Sequence, residues 1–217
     1  DQGVDVSALA ARRDELATSG RTAVLVAVDG QAVGLIALAD AVRDTSAAAV
    51  AALHDMGVQV VMISGDNEAT ARRIAGQLGI DTVLAEVLPG DKAAEVARLQ
   101  QAGRKVAMVG DGVNDAPALA LATVGIAMGG AGTAVALETA DVALMGDDLA
   151  TLPFAVGLSR QAARIIKQNL ALSVAVIALL VVATLGGWAG IGTAVLLHEG
   201  STMVVVANSL RLLGYGR

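Results

Sequence analysis

The sequence contains no cysteine, and it lacks a net positive charge. Without cysteine, disulfide bonds and thiolate metal sites are excluded. The net charge of -6 argues against nucleic acid as a partner, because a phosphate backbone attracts a basic surface. No secretory signal peptide is recognisable, and the chain begins at Asp1 in the style of a sequence that starts inside a domain, so we expect a longer protein.

Charge is also missing from two C-terminal segments. Residues Leu170 to Trp188 hold no charged side chain, and Ile191 to Asn208 hold only His198 and Glu199 as ionisable groups. Each segment is long enough to cross a hydrocarbon core of about 30 Å as a helix. We therefore predict a transmembrane helix pair, with a buried hairpin of a soluble protein as the alternative.

Basic residues flank this pair on one side only. Arg160, Arg164 and Lys167 precede the first segment, Arg211 and Arg217 follow the second, and the glycine-rich connection 186–192 carries no charge. By the positive-inside rule both chain ends are expected in the cytoplasm, with the lipid bilayer of the plasma membrane as a partner.

Two carboxylates and an amide lie close together in the stretch from Val106 to Leu119. A short apolar run ends at Gly110, Asp111, Asn114 and Asp115 follow, and Pro117 then opens a predicted helix. At the carboxyl end of a parallel strand the two carboxylates would face the ligand crevice, and hard oxygen ligands suit Mg²⁺. The alternative is that Asp-Gly and Asn-Asp only form turns.

Two further loops resemble this one in position. The run 60–63 ends in Ser64-Gly65-Asp66-Asn67, and Pro89-Gly90-Asp91-Lys92 lies between it and the GDGVNDAPAL stretch. The ordered triple resembles the P-type ATPases of the haloacid dehalogenase superfamily, whose phosphorylation domain carries a [TS]GD loop, a P-x-x-K loop and a GDGVNDAPAL loop. The resemblance covers nearly all of this chain but only the C-terminal part of a pump.

The resemblance implies roles for the residues at the matching positions. Ser64 and Gly65, in the loop with Asp66, would hold phosphoryl oxygens, Lys92 would add a positive charge, and Asp111 would hold Mg²⁺ with support from Asn114 and Asp115. Asp40-Ala41-Val42-Arg43 resembles the family's D-P-x-R hinge, with Ala41 where proline is usual. The predicted cofactor-binding positions are Asp40, Arg43, Gly110 and Gly112.

Alternating strands and helices predict the fold. The expected class is α/β, a doubly wound parallel sheet of the haloacid dehalogenase type followed by a two-helix transmembrane hairpin. The predicted units are 1–39, the tail of a nucleotide-binding domain; 40–150, the phosphorylation domain; 151–169, a linking helix; and 170–213, the transmembrane pair. Asp29-Gly30 predicts a hairpin turn, and we reject Asp29 as a nucleophile because Gly30-Gln31 does not match D-K-T-G-T.

The second apolar segment contains His198-Glu199-Gly200-Ser201-Thr202. An ionisable pair inside a membrane span is costly to bury and indicates function. Imidazole, carboxylate and hydroxyl ligands suit Co²⁺ or Zn²⁺ better than Cu⁺. The segment resembles the H-E-G-G-[ST] motif of the cobalt/zinc branch of heavy-metal P-type ATPases, with Ser201 in place of glycine, and we predict that His198, Glu199, Ser201 and Thr202 bind the transported ion. A purely structural pair is the alternative.

Several family elements are absent from the sequence: D-K-T-G-T with the phosphorylated aspartate, the T-G-E of the actuator domain and the earlier transmembrane helices. We therefore predict the C-terminal portion of an ATP-driven divalent metal exporter that needs ATP, Mg²⁺ and the missing N-terminal part, and that is inactive alone. The alternatives are a membrane-tethered haloacid dehalogenase-type phosphatase and a non-catalytic metal-binding or regulatory membrane fragment.

Overall fold

The computed structural model describes residues 4–18, 21–38, 42–110, 114–129, 138–146 and 148–216. The chain divides into two compact units, Asp1–Thr151 and Leu152–Arg217. Each is described by itself.

The first unit begins with a helix and a hairpin. Helix α1 (Ser7–Thr18) precedes strands β1 (Thr22–Val28) and β2 (Gln31–Leu38), which pair antiparallel. Asp29 and Gly30 between them both have positive φ, at 51° and 79°, as a type I′ turn requires. The predicted hairpin is confirmed, and Asp29 is a turn residue.

The remainder of this unit alternates helices and strands, as the sequence predicts. In chain order the elements are α2 (Asp44–Asp55), β3 (Val61–Ile63), α3 (Glu68–Leu78), β4 (Thr82–Leu84), a 3₁₀ turn (Pro89–Asp91), α4 (Lys92–Gln101), β5 (Ala107–Gly110), α5 (Ala116–Leu121), β6 (Val124–Met128) and β7 (Val142–Leu144).

Parallel pairing is confirmed for β3 to β7, but these five strands form two sheets rather than one. Strand β3 pairs with β4, and β5, β6 and β7 pair in that order. Both strands of the first sheet are therefore edge strands, and β5 and β7 are the edge strands of the second. No strand among the described residues joins the two sheets.

The core of the second sheet is a cluster of four buried side chains. Val96 of α4, Met108 of β5 and Ala118 and Leu119 of α5 form one buried cluster. Val96 is fully buried and Leu119 almost fully, with exposed fractions of 0% and 1%. This packing fixes the start of α4 and the start of α5 relative to the end of β5, because both helices share the cluster with the strand.

The second unit consists mainly of two helices. Helix α6 (Thr151–Leu185) has 35 residues, a length of about 52 Å. The predicted linking helix and the first apolar segment are thus one continuous helix. Among the described residues, α6 is the one helix long and apolar enough to cross a membrane.

Helix α7 (Ile191–Leu210) follows a turn in which Gly187 has a φ of 72°. It contains His198 and Glu199, and its crossing of a membrane stays a prediction. After α7 the chain forms a 3₁₀ turn (Arg211–Gly214), and Tyr215 then packs on Phe154, with ring centroids 5.6 Å apart.

Candidate phosphate and metal sites

The loop after β3 is held by hydrogen bonds in two directions. Within the loop, the Ser64 hydroxyl donates to Asp66 Oδ2 at 2.8 Å, and the Asp66 N–H donates to Ser64 Oγ at 3.1 Å. Across the sheet edge, the Ser64 N–H donates to the Leu84 carbonyl at 2.9 Å, and the Val87 N–H donates to the Ser64 carbonyl at 3.0 Å. The Ser64 loop is therefore tied to the segment that leads from β4 to Lys92.

The end of this loop is also the start of α3. Asn67 lies at the N-cap of α3, and its side-chain oxygen accepts the Thr70 N–H at 2.9 Å. Gly65 faces the same segment, since a Cβ built there would lie 3.4 Å from the Val87 carbonyl. The Asn67 cap and the nearby Val87 carbonyl therefore restrict the positions that Ser64 and Gly65 can take.

Lys92 and Asp115 meet although they are far apart in sequence. Lys92 Nζ donates to Asp115 Oδ1 at 2.7 Å, and the two side chains are only 19% and 11% exposed. The Arg72–Glu68 pair on α3, by contrast, is 66% and 62% exposed. Two opposite charges held this far from water require each other, because either one alone would carry a large desolvation cost.

Gly110 explains how Asp115 comes so close to β5. A Cβ at Gly110 would lie 2.5 Å from Asp115 Oδ2 and 2.9 Å from its Cβ. No side chain fits at such distances. The glycine that ends the strand is thus a packing requirement of the Asp115 carboxylate.

Three of the predicted positions, Asp40, Asp111 and Gly112, lie outside the described residues. Asn114 is exposed at the start of the turn that leads into α5. The structure therefore brings Ser64, Gly65 and Asp66 together in one loop and Lys92, Gly110 and Asp115 together in another cluster. Their joint binding of phosphate and Mg²⁺ stays a prediction.

Arg43, predicted as a hinge residue, lies before α2 and near an aspartate that the sequence did not single out. The N–H of Ala150 donates to Asp148 Oδ1 at 3.0 Å, and this bond, a hydrogen bond from Thr45 and the charge of Arg43 lower the pKa of Asp148. The Thr151 hydroxyl donates to the Asp148 carbonyl at 2.8 Å. Asp148 is therefore held at the start of α2, within the first unit. The sequence signal was weak, since an Asp side chain often accepts the N–H two residues on in a turn, but nothing in the sequence points to Thr45 or Arg43 as its neighbours.

The predicted ion ligands in α7 lie close together on the helix. Ser201 Oγ and Thr202 Oγ1 donate to the His198 carbonyl, at 2.7 Å and 3.3 Å, and the His198 and Glu199 side chains are exposed. Among the described residues, no group of three or more His, Cys, Asp or Glu side chains could hold a metal ion. Any metal bound here would need ligands from outside the described part of the chain.

The fold and these loops define a class of protein. The sequence profile of haloacid dehalogenase-like hydrolases matches residues 3–123, more than half of the 217 residues. The chain belongs to this family.

Relatives narrow the class further. The chain is 48% identical over 201 residues to a cadmium-transporting ATPase of Staphylococcus aureus, covering 91% of this chain and 27% of the relative. It is 49% identical over 197 residues to a copper-exporting P-type ATPase of Staphylococcus aureus strain JH9, covering 89% and 24%. The relatives are heavy-metal-transporting P-type ATPases, and the chain spans about a quarter of their length.

A solved structure gives the same result. The crystal structure of a zinc-transporting PIB-type ATPase in the E2.Pi state superimposes with a TM-score of 0.87 at 43% identity, covering 97% of this chain and 34% of that protein. The expected resemblance to part of a heavy-metal P-type ATPase is confirmed.

Proposed function

We propose that this chain is the C-terminal portion of an ATP-driven exporter of divalent heavy metals, and that it supplies the phosphate and Mg²⁺ loops and part of the ion site. The observation that carries this proposal is the nearly buried Lys92–Asp115 pair at the end of β5. A structural ion pair would not need to lie at the carboxyl ends of parallel strands, which is where ligands bind in α/β proteins.

The chemistry of the pair suits phosphoryl transfer to a carboxylate. Lys92 has three N–H donors and uses one on Asp115, so others can reach phosphoryl oxygens without breaking the pair. Asp115 in turn fixes the ammonium group in place before the phosphate arrives, which is the preorganisation that stabilises developing charge. The Ser64 hydroxyl can exchange its Asp66 partner for a phosphoryl oxygen.

Mg²⁺ would be held in the main by Asp111. The donor set at this edge is carboxylate and amide oxygen, which fits a hard cation. Asp115 already bonds to Lys92 through Oδ1, so we assign it, with Asn114, to support of the ion and not to sole coordination. The bound ion would neutralise phosphate charge.

The acceptor aspartate is expected on a strand outside this chain. A parallel strand placed between β3 and β5 would join the two sheets and present its carboxyl end beside Ser64 and Lys92. The edge positions of β3 and β5 support this placement. The complete protein would then span the membrane several times with both ends of this portion in the cytoplasm, and it would carry a divalent metal of the group cobalt, zinc, cadmium, iron and nickel.

The test is phosphoenzyme formation from ATP in the complete pump. Asp111→Asn and Lys92→Ala should each abolish it, whereas Lys105→Ala, which removes an exposed lysine before β5, should leave it unchanged. The isolated chain should hydrolyse neither ATP nor phosphate esters. Normal phosphoenzyme in either loop variant contradicts the assignment, and phosphatase activity of the isolated chain favours the tethered phosphatase.

A further inference from the structure

One end of the α6–α7 helix pair is joined by a polar cluster that no part of the proposed mechanism uses. Asn169 Nδ2 of α6 donates to Ser209 Oγ of α7 at 2.9 Å, and Asn208 Nδ2 of α7 donates to Asn169 Oδ1 at 2.8 Å. Ser209 Oγ itself donates to the Val205 carbonyl at 2.9 Å. Asn169 thus uses both ends of its amide on the neighbouring helix.

The cluster extends to the water-facing edge of the pair. Asn208 Nδ2 also lies 3.3 Å from Gln168 Oε1, and Arg211 donates to Asn208 Oδ1 at 2.9 Å. Asn169, Asn208 and Ser209 are half-buried, whereas Gln168 and Arg211 are exposed. The charged and exposed groups form the rim, and the neutral amide pair lies inside it.

Such a pair fixes register in a way that apolar side chains do not. Two apolar helix faces can slide by one turn and still meet apolar surface, but a slid amide pair loses its partners in a medium without water. The contact between Asn169 and Asn208 therefore selects one alignment of α7 against α6.

The same face of α7 carries His198. Ser201, Val205 and Asn208 are half-buried and follow one another at spacings of four and three residues, which places them on the face turned toward α6. His198, three residues before Ser201, lies on that face as well, whereas Glu199, the next residue, points about 100° away from His198. A slip of one turn would move His198 by about 5.4 Å, far more than a metal–ligand bond tolerates.

We propose that Asn169, with Asn208 as its partner, is a positioning residue that sets the register of α7 and hence the height of His198 and Glu199 in the membrane. The effect of this register on metal binding rests on the proposed function, whereas the register itself does not depend on it.

Register is measured by cross-linking of cysteine pairs in the 217-residue chain reconstituted in lipid nanodiscs. The chain has no cysteine of its own, so each introduced pair is the only one. Leu172→Cys with Val205→Cys should cross-link in the proposed register, and Leu172→Cys with Ser201→Cys should report a slip of one turn. Asn169→Ala should reduce the preference for the first pair by about three- to tenfold.

Gln161→Ala is the matched control, because the Gln161 amide bonds to Arg164 within α6. It should leave the preference unchanged. Asn208→Ala keeps the Asn169–Ser209 bond, so its preference for the first cysteine pair should lie between those of wild type and Asn169→Ala. It takes the place of Asn169→Ala in the test if that variant does not insert into the bilayer. An unchanged preference in Asn169→Ala overturns the register role.

The metal role is measured in the complete pump with Zn²⁺. Asn169→Ala should raise the KM for Zn²⁺-stimulated ATP hydrolysis several-fold, while phosphorylation from inorganic phosphate stays normal. A changed cross-linking pattern with an unchanged KM contradicts the proposal that this register positions the metal ligands. Absence of metal-stimulated turnover in the wild-type pump would instead overturn the proposed function, and the cross-linking result would still decide the register.

Discussion

Gly110 is the residue at which a single methyl group should have the largest effect on the candidate phosphate site. An alanine Cβ there would lie 2.5 Å from Asp115 Oδ2, so the carboxylate must move away from the strand end. Asp115 would then lose its bond to Lys92, and two poorly solvated charges would be separated. We expect Gly110→Ala to abolish phosphoenzyme formation in the complete pump.

Gly76→Ala is the control for this substitution. Gly76 lies within α3, and a Cβ there meets nothing within 4 Å, so the change should keep activity and stabilise the helix by about 0.5–1 kcal/mol. Phosphoenzyme is measured for both variants at equal protein levels. Normal phosphorylation of Gly110→Ala would mean that the Lys92–Asp115 contact is dispensable.

The same residues show how far sequence reasoning reaches at this scale. The motif order predicted that Lys92 and Asp115 act at one sheet edge. It did not predict that they bond to each other, because the pairing depends on how α4 and α5 pack against β5 around Val96 and Leu119. Asp148 and Asn169 were missed, since a single polar residue carries little signal until its partner is known.

At the scale of elements, α3 depends on its N-cap. Asn67→Ala removes the bond to the Thr70 N–H and should lower the free energy of unfolding by about 1 kcal/mol. Arg72→Ala removes an exposed ion pair on the same helix and should cost about 0.5 kcal/mol or less. Urea unfolding of both variants checks the order, and an equal or larger loss in Arg72→Ala would contradict the role of the cap.

The contacts of Asp148 at the start of α2 should appear as a pH dependence of stability. The pKa of folded Asp148 is lowered by the Ala150 N–H, Thr45 and Arg43, so the ionised carboxylate stabilises the folded state. This contribution is present above the ordinary aspartate pKa of about 3.9 and is lost as the pH falls through the lower folded value.

Asp148→Asn should therefore unfold at a lower temperature than wild type at pH 7, and the difference should shrink as the pH falls below the ordinary aspartate pKa and through the lower folded value. Thermal unfolding followed by circular dichroism across this range makes the comparison. Asp81→Asn, an exposed change in the loop before β4, should follow wild type at every pH. A pH-independent difference for Asp148→Asn would show that its charge is not responsible.

The alternation of strands and helices was predictable from periodicity, glycine and proline, and the structure confirms it. The division into two sheets was not, because the sequence pattern shows that strands are parallel without showing which strands are neighbours. Helix α6 was predicted in two parts because its charge pattern changes near Asn169, although its backbone continues without a break to Leu185.

At the scale of the whole molecule, we predict that His198 and Glu199 bind the transported ion. If α7 crosses the membrane as predicted, each side chain is costly to keep in hydrocarbon, which offers no competing ligand, and this cost favours a functional pair over a purely structural one. Ser201 and Thr202 already donate to the His198 carbonyl. Their hydroxyl oxygens still have free lone pairs for a metal, but a site of four or more ligands requires donors from the rest of the pump.

In the complete pump, His198→Ala and Glu199→Ala should lose stoichiometric Zn²⁺ binding and metal-stimulated turnover. Phosphorylation from inorganic phosphate should survive, because Ser64, Lys92 and Asp111 are unchanged, and this reaction is the control for folding. Ser201→Gly, which restores the family pattern, should remain active, and a shift in its preference between Zn²⁺ and Co²⁺ would identify the hydroxyl as a ligand. Wild-type metal binding in both alanine variants would make the pair structural and would place the ion site elsewhere in the membrane.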